Sequence, residues 1–295
     1  MISPFDLEND AAYRSWRRDK LARYPIGVEA LLVEIRDPWA MTSQEIAQLL
    51  HHCACHNMAF FRLANPDAGQ GNPLPAITAQ LGLRDLDHNL GADDEGLSAL
   101  TPGGSAYSPF ADYIPYRAAA IGWHTDGYYN PLHRPVQSLC LYCEQPAPEG
   151  GENSLLDHEW LYIRLRDENP ELIRTLMEEV MTIPARLDAE GNVARPERTG
   201  AVFSITPAGH LHMRFTNRTR SIHWREDAAT RQAVAAIRQG LDTLSSAHLH
   251  GRLERGWGLI SNNPLHCRSA FQEGSGAARR ILYRARFFDR LPAYA

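Results

Sequence analysis

The sequence lacks any apolar run that approaches the roughly 20 residues needed to cross a bilayer. Its N-terminal stretch, MISPFDLENDAAYRSWRRDK, is charged throughout and has no apolar core of the kind found in signal peptides. The five cysteines are odd in number and show no framework of spacings, which indicates a reducing compartment. Basic charge is not in excess either, since the formal net charge is -5. Together these absences predict a cytoplasmic protein with no membrane and no nucleic-acid partner.

Several catalytic and cofactor motifs are also missing. Neither GxGxxG nor GxxxxGK[ST] occurs, so nothing indicates a phosphate-binding loop, and no GxSxG nucleophile elbow is present. Cys267 lies beside a histidine only by sequence adjacency, which makes a Cys/His hydrolase a weak alternative. The HHCACHN stretch, residues 51–56 and Asn57, lacks a matching second pair at zinc-finger spacing. Cys140 and Cys143 would fall on opposite faces of a strand, which argues against chelation.

The chain that remains is typical of a globular protein, with 295 residues, 44% hydrophobic and 22% charged. Amphipathic helices are predicted over residues 43–58 and 227–247, and another after the Asn-Pro at 169–170. Loops rich in Gly, Pro and Asn are predicted at 64–76 and 91–106, the second being a candidate lid. The rest is mostly short apolar runs broken by turns, such as VQSLCLYCEQ. We therefore expect a mainly β sandwich or barrel with flanking helices.

The stretch GWHTDGYYN places His124 and Asp126 one residue apart. In a strand these two side chains project from the same face, with Thr125 turned away, so both can reach one ion. Two imidazoles and one carboxylate form the facial triad that suits non-haem Fe(II), because it leaves coordination positions open. The alternative is an ordinary polar strand end, since the chain has 13 histidines and one H-x-D pair is unremarkable.

A third ligand has to come from elsewhere in the chain. The candidates are His210, His212, His223, His248, His250 and His266. The pairs 210/212 and 248/250 each share a strand face, so either pair would add two ligands and close the site. His266 differs because it stands alone in SNNPLHCRSAF, ahead of a glycine turn and the strand-like RRILYRARFF.

The RRILYRARFF segment alternates arginine with apolar residues. Arg280, Arg284 and Arg286 share one parity, and Ile281, Tyr283, Ala285 and Phe287 share the other. In one interpretation the arginines are exposed to solvent and the apolar residues pack in the core. The other interpretation places one arginine inside a barrel, where its planar fork binds a carboxylate. The pattern alone favours the solvent interpretation.

The motifs WHTDGYY, GGEN, NNPLHCRSAF and RRILYRARF, in that order, resemble the taurine dioxygenase (TauD/TfdA) family of Fe(II)/2-oxoglutarate-dependent oxygenases. The match covers roughly residues 105 to 290 and is also similar to the γ-butyrobetaine hydroxylase and glutarate hydroxylase branches. The resemblance implies a double-stranded β-helix, or jelly roll, flanked by helices. It also implies a single domain over 1–295, with an N-terminal region at 1–105 and the jelly-roll core at 106–290.

The resemblance implies the site residues as well. His124, Asp126 and His266 would bind Fe(II), and Arg280 would pair with the distal carboxylate of 2-oxoglutarate. Asn153 stands where the family often has Thr or Ser beside that carboxylate. Arg284 matches a position that contacts the anionic end of the substrate in taurine dioxygenase.

The implied reaction uses Fe(II), 2-oxoglutarate and O2 to hydroxylate a C–H bond, with release of succinate and CO2. From the residues near the site we expect Tyr128, Tyr129, Arg214 and Arg284 to contact a small polar substrate that is anionic or zwitterionic. The alternative for the two tyrosines is that they are ordinary core residues. A homo-oligomer is compatible with the sequence. Two other functions remain open: a metal-binding jelly roll without oxygenase activity, and a zinc hydrolase that uses the same three ligands.

Overall fold

The computed structural model describes residues 3–67, 71–88, 96–101, 114–188, 190–219, 222–276 and 279–292. Within these ranges the α-helices are α1 (Asp10–Ala22), α2 (Ser43–His56), α3 (Leu74–Gln80), α4 (His158–Glu168), α5 (Pro170–Leu176) and α6 (Ala228–Thr243). Short 3-10 helices cover Val28–Leu31, Ile114–Tyr116 and Ser245–Ala247. No helix in the described ranges has the length and apolar composition required to span a membrane.

The strands are mostly short. In chain order they are β1 (Leu32–Ile35), β2 (Met58–Leu63), β3 (Ser98–Ala99), β4 (Ile121–His124), β5 (Ser138–Gln145), β6 (Asn153–Leu156), β7 (Met181–Ile183), β8 (Arg186–Leu187), β9 (Val193–Arg195), β10 (Arg198–Gly200), β11 (Phe203–Ile205), β12 (Leu211–Met213), β13 (His223–Trp224), β14 (Leu249–Gly251), β15 (Trp257–Ser261), β16 (Leu265–Arg268) and β17 (Ile281–Phe287).

These strands form two larger sheets and three small ones. The six-stranded sheet has the order β1-β2-β15-β5-β17-β3, and the four-stranded sheet has the order β14-β6-β16-β4. The small sheets are β10-β7-β13, the pair β11-β12 and the hairpin β8-β9. In the six-stranded sheet only β1 and β2 run parallel to each other, and the other described pairs are antiparallel. The order is non-sequential, as jelly-roll connections require.

The chain divides into two compact units. The first consists of residues up to 24, 123–135 and 156–248, and α4, α5 and α6 pack on one another within it. The second consists of 25–122, 136–155 and residues from 249 onward, and it contains the six-stranded sheet.

The second unit has a hydrophobic core on each face of its six-stranded sheet. One core includes Cys53 of α2, Phe61 of β2 and Cys140 of β5. The other includes Cys143 of β5 and Leu155 of β6, so it lies against a strand of the four-stranded sheet. The opposite placement of Cys140 and Cys143 confirms that they cannot chelate one ion together. Burial also raises the pKa of both thiols to about 12.

The helix predicted at 43–58 is confirmed as α2 over residues 43–56, and its start is fixed by side-chain capping. The Thr42 hydroxyl accepts from the backbone N–H of Glu45, and the Glu45 carboxylate accepts from the backbone N–H of Thr42 at 2.6 Å. This capping box satisfies N–H groups that would otherwise lack partners at the first turn. The helix ends at Asn57, which has a left-handed φ of 60°, and β2 follows directly.

Other elements differ from the sequence-based expectations. The loop predicted over 64–76 gives way to α3 at Leu74, and α1 is an additional helix. Of the candidate lid at 91–106, residues 91–95 and 102–106 lie outside the described residues, and 96–101 contain β3. The lid therefore stays a prediction.

Candidate metal centre and its surroundings

The first two candidate ligands lie at the end of β4. His124 is the last residue of the strand, and its backbone bridges to Thr216. Thr125 is fully buried, and its hydroxyl accepts from the Phe215 N–H at 3.1 Å while its own N–H donates to the Phe215 carbonyl at 3.0 Å. With Thr125 fixed in this way, His124 Nε2 lies 3.7 Å from Asp126 Oδ1. The i, i+2 geometry expected from the sequence is therefore present.

The chain turns immediately after Asp126. Gly127 has a φ of +68°, a left-handed value that favours glycine, and the Asn130 N–H donates to its carbonyl at 2.8 Å. The turn follows the end of β4, so Tyr128 and Tyr129 lie outside the strand. Their rings form an edge-to-face pair with centroids 5.2 Å apart.

The third candidate ligand lies on β16, the neighbour of β4 in the four-stranded sheet. His266 Nδ1 lies 2.9 Å from the Pro264 carbonyl oxygen. A carbonyl only accepts, so this contact favours the tautomer with the proton on Nδ1 and makes Nε2 the ligand atom.

The three side chains converge. Ligand atoms of His124, Asp126 and His266 all lie within 4.8 Å of one another. Across the described ranges this is the single group of three His, Cys, Asp or Glu residues arranged to bind an ion. Two imidazole nitrogens and one carboxylate oxygen are the donor set of the Fe(II) facial triad, so the residues present fit iron.

The competing cysteine and histidine sites are not assembled in the described structure. The Cys53 thiol is buried and donates to the Ile260 carbonyl, so Cys53 packs as a core residue on α2. Cys267 follows His266, but burial raises the pKa of its thiol, the opposite of what a nucleophilic cysteine requires.

Arg280 lies directly before β17 and is buried, with 4% of its surface exposed. Its guanidinium donates to the Leu100 carbonyl at 3.4 Å and lies 4.9 Å from the centre of the Phe271 ring. Burial lowers its pKa, and no carboxylate in the described part of the chain forms an ion pair with it. A buried cation in this state fits the carboxylate of a bound 2-oxoglutarate.

Asn153, the first residue of β6, shares a small cavity with His266. The other walls of that cavity are apolar and include Phe60, Leu141, Leu155 and Leu259. The amide thus lies beside a candidate metal ligand in an otherwise apolar pocket.

The arginines of β17 are buried, so the interpretation that gave this face to solvent is wrong. Arg284 is 8% exposed and Arg286 is 1% exposed. Arg286 forms an ion pair with Asp87, which is itself buried. The register of β17 against β5 shifts between Ile281 and Leu282, at the start of the strand.

Arg214 lies in the first unit and contacts backbone. Its guanidinium donates to the carbonyls of Tyr128 at 2.6 Å, Met181 at 3.2 Å and Arg198 at 3.0 Å. Burial lowers its pKa to about 10. Arg214 therefore fixes the turn that follows Asp126, and its expected contact with substrate stays a prediction.

The sequence patterns did not point to Arg268, which connects the two ligand strands. It lies two residues after His266 and donates to the carbonyls of Pro115, Arg117 and Ala119, the segment that leads into β4. Burial, followed by the charge of Arg280, lowers its pKa to about 10. A signal was available, because i, i+2 spacing gives Arg268 the same strand face as His266.

A family model described as "Taurine catabolism dioxygenase TauD, TfdA family" matches residues 19–286. This match confirms the resemblance that the motifs predicted. A protein named uridine-5'-phosphate dioxygenase from Streptomyces sp is 32% identical over 143 residues, which cover 48% of this chain and 49% of that protein. The chain spans about half the length of the curated relatives it matches.

Solved structures with a similar fold cover most of the chain. Asparagine oxygenase, in complex with Fe(II), 2S,3S-3-hydroxyasparagine and succinate, has a TM-score of 0.59 at 14% identity, covering 96% of this chain and 91% of that one. The non-haem iron oxygenase OrfP, in complex with Fe, succinate and (3S)-hydroxy-L-Arg, has a TM-score of 0.61 at 16% identity, covering 97% and 90%. These likenesses confirm the predicted fold, a jelly-roll core with flanking helices.

Proposed function

Because the chain belongs to the taurine catabolism dioxygenase TauD, TfdA family, we propose that it is an Fe(II)- and 2-oxoglutarate-dependent oxygenase. In this proposal it hydroxylates a C–H bond of a small polar substrate and releases succinate and CO2. The observation that supports it best is the convergence of His124, Asp126 and His266 within 4.8 Å.

The three ligands have separate duties. His124 and His266 supply neutral imidazole nitrogens, and Asp126 supplies one negative charge. Bound Fe(II) would supply the oxygen chemistry that couples decarboxylation of 2-oxoglutarate to hydroxylation. The chain contributes ligand geometry: Thr125 anchors β4 to Phe215, and the Pro264 carbonyl fixes the tautomer of His266.

Co-substrate binding is assigned to Arg280, with Asn153 as a neutral donor nearby. The buried guanidinium of Arg280 would bind a carboxylate through charge-assisted hydrogen bonds, which strengthen where water is excluded. Apolar walls beside His266, including Phe60 and Leu259, keep that side of the site dry. A zinc hydrolase, or a jelly roll that only binds metal, would have no use for Arg280.

The substrate is assigned more broadly, as a small anionic or zwitterionic molecule. Tyr128, Tyr129 and Arg284 are proposed to line its site, and Arg214 to support it through the turn after Asp126. Relatives named uridine-5'-phosphate dioxygenases make a phosphorylated nucleoside one candidate.

The binding of both cofactors can be tested without turnover. Anaerobic addition of Fe(II) and 2-oxoglutarate should produce the weak visible charge-transfer band of the chelate. Arg280→Ala should weaken the binding of 2-oxoglutarate measured from that band, while Arg231→Ala, on the exposed face of α6, should not. A metal-only protein or a zinc hydrolase would show no band, and Arg280→Ala would then change nothing.

Succinate release separates the substrate classes. With Fe(II), O2 and 2-oxoglutarate present, candidates should include uridine 5'-phosphate, asparagine, arginine, betaines and sulfonates. We expect an anionic or zwitterionic candidate to stimulate succinate formation above the rate without substrate. Stimulation by a neutral apolar molecule alone would contradict the assigned substrate class.

A further inference from the structure

Three arginines of the first unit lie between residues 186 and 198, and one of them contacts the Tyr129 ring. Arg186 of β8 and Arg195 of β9 are direct cross-strand partners, and Arg198 begins β10. We call Arg186, Arg195 and Arg198 the arginine cluster. The Arg195 guanidinium carbon lies 5.1 Å from the centre of the Tyr129 ring. Like charges directly opposite one another destabilise a hairpin, so an arrangement of this kind favours an anion.

The groups that act on the pKa of Arg195 are, after burial, the two neighbouring tyrosines and then the other arginines of the cluster. Burial lowers its pKa, Tyr128 and Tyr129 act in the opposite direction, and Arg186 and Arg198 lower it further. Among the described residues, no carboxylate is a cause of this shift. The positive charges of the three arginines therefore lie close enough to repel one another, and Tyr128 and Tyr129 lie beside them.

Arg195 and Arg198 each have a guanidinium donor without a hydrogen-bond partner among the described residues. Arg195 donates from Nη2 to the Pro184 carbonyl at 2.9 Å, and Arg198 donates from Nη1 to the Glu197 carbonyl at 3.4 Å. The Nε atoms of both arginines are buried and have no partner in the described part of the chain. Asp188, in the same hairpin, accepts from backbone N–H groups of its own turn instead.

Tyr129, whose ring Arg195 contacts, lies close in the chain to a candidate metal ligand. Tyr129 is three residues after Asp126, so their Cα atoms are separated by at most about 11 Å. The turn at Gly127 shortens that distance. Arg214 connects the same parts, because it donates to both the Tyr128 and the Arg198 carbonyls.

We propose that the arginine cluster binds the phosphate group of a phosphate-monoester substrate. A phosphate carries up to two negative charges and three acceptor oxygens, which match several guanidinium forks, whereas a carboxylate offers one charge. The inference rests on the proposed function, because it assigns the phosphate to the substrate of the candidate metal centre. It narrows the substrate from an anionic molecule to a phosphorylated one.

The test uses inorganic phosphate as the probe and the full chain as the protein. Calorimetric titration should show saturable binding of phosphate and much weaker binding of acetate. Arg195→Gln/Arg198→Gln should lower phosphate affinity at least tenfold, about the effect of losing one charge-assisted hydrogen bond. Arg195→Lys, which keeps the charge, should retain part of the affinity if the protein folds as before.

Two controls locate the phosphate. Arg231→Gln/Arg238→Gln removes the same charge from the exposed face of α6 and should leave affinity unchanged. Arg280→Gln tests whether phosphate binds at the 2-oxoglutarate site instead, and it should lower phosphate affinity much less than Arg195→Gln/Arg198→Gln. Absence of saturable binding, an equal loss in the α6 variant, or a loss confined to Arg280→Gln would each overturn the proposal.

The charge-transfer band distinguishes this proposal from the proposed function. The band should be unchanged in Arg195→Gln/Arg198→Gln, because the hydrogen bonds that these two arginines make to described residues go to the backbone carbonyls of Pro184 and Glu197. If the native protein binds phosphate through the cluster but shows no band, the oxygenase function fails and the anion site stands. If the band forms and phosphate does not bind, only the anion site fails.

Discussion

Two buried arginines near the C-terminus differ in what neutralises them. Arg286 has Asp87 as its ion-pair partner, whereas Arg280 contacts the Leu100 carbonyl and the Phe271 ring. An unpaired buried charge is unfavourable, so Arg280 lowers the stability of the ligand-free protein and favours binding of an anion. Arg286 therefore belongs to a buried ion pair, whereas Arg280, six residues earlier, is suited to binding an anionic ligand.

The first prediction concerns the removal of each charge. Arg280→Gln should not lower the free energy of unfolding of the ligand-free protein, because it removes an unpaired buried charge and, in the described part of the chain, leaves no carboxylate without a partner. Stabilisation by 2-oxoglutarate with Fe(II), about 2.7 kcal/mol at a hundredfold excess over Kd, should be lost. Anaerobic urea denaturation with and without 2-oxoglutarate measures both quantities.

Arg286→Gln is the matched control. It leaves the Asp87 carboxylate buried without its partner, so ligand-free stability should fall by about 3–5 kcal/mol. Stabilisation by 2-oxoglutarate should be retained. Equal losses of ligand-free stability in the two variants would show that Arg280 has a structural partner of its own.

Strand geometry explains which site residues the sequence could predict. Strand alternation suggested His124 and Asp126 as a pair, and family motifs supplied His266. In the structure β4 ends at His124, and Asp126 lies in the turn that follows. Alternation assigns a parity but not a burial, so it favoured solvent for Arg284 and Arg286, which are 8% and 1% exposed. Only the packing of β17 between other strands determines that these arginines lie inside.

At the scale of elements, the turn before β6 brings distant segments together. Gly150 and Gly151 have φ values of +74° and +76°, and Gly150 bridges to Phe271. The Gly151 N–H donates to the Ala270 carbonyl at 3.1 Å. The turn thereby fixes the segment that contains Phe271, the ring beneath Arg280.

The second prediction is that Gly150→Ala lowers the free energy of unfolding more than Gly209→Ala, a substitution at a similar positive φ. A Cβ at Gly150 would overlap the Ala270 carbonyl oxygen, a backbone atom that cannot move aside cheaply. Gly209→Ala, at a φ of +84° with nothing within 4 Å, isolates the backbone strain of about 1–2 kcal/mol. Gly150→Ala should lose about 1–3 kcal/mol more in urea denaturation. Equal losses would mean that the contact with Ala270 relaxes.

Elements with local signals were predictable, and elements fixed by tertiary contacts were not. Helix α2 has its capping box and apolar face in its own sequence. The hairpin β8–β9 pairs two arginines, and its apolar residues Leu187 and Val193 are exposed. Its sequence therefore lacks the alternation of apolar residues that predicts a strand. Two-residue strands such as β8 and β13 are defined only by their partners.

At the scale of the molecule, the first unit combines segments that are far apart in sequence. Residues up to 24 belong with 156–248, although composition along the chain offers no sign of that grouping. The single-domain assignment, with its boundary at residues 105 and 106, stays a prediction. Which segments associate depends on contacts between residues far apart in sequence, which no local sequence pattern shows. In this unit one such contact is an ion pair between α1 and the start of α4.

Lys20 of α1 makes that connection, and it gives the third prediction. Its ammonium lies 2.6 Å from the Asp157 carboxylate and also pairs with Glu159; their side chains are at most 11% exposed. Lys20→Met would remove the ammonium that both buried acids contact, so the free energy of unfolding should fall by about 3–5 kcal/mol. The triple variant Lys20→Met/Asp157→Asn/Glu159→Gln should recover part of this loss, because all three charges of the group are then removed together. As a control, Arg14→Met removes an exposed ion pair on the same helix and should lower the free energy of unfolding by at most about 1 kcal/mol. If the triple variant were as unstable as Lys20→Met in urea denaturation, the loss would come from packing of the lysine stem, and the ionic connection between α1 and α4 would not be what stabilises the unit.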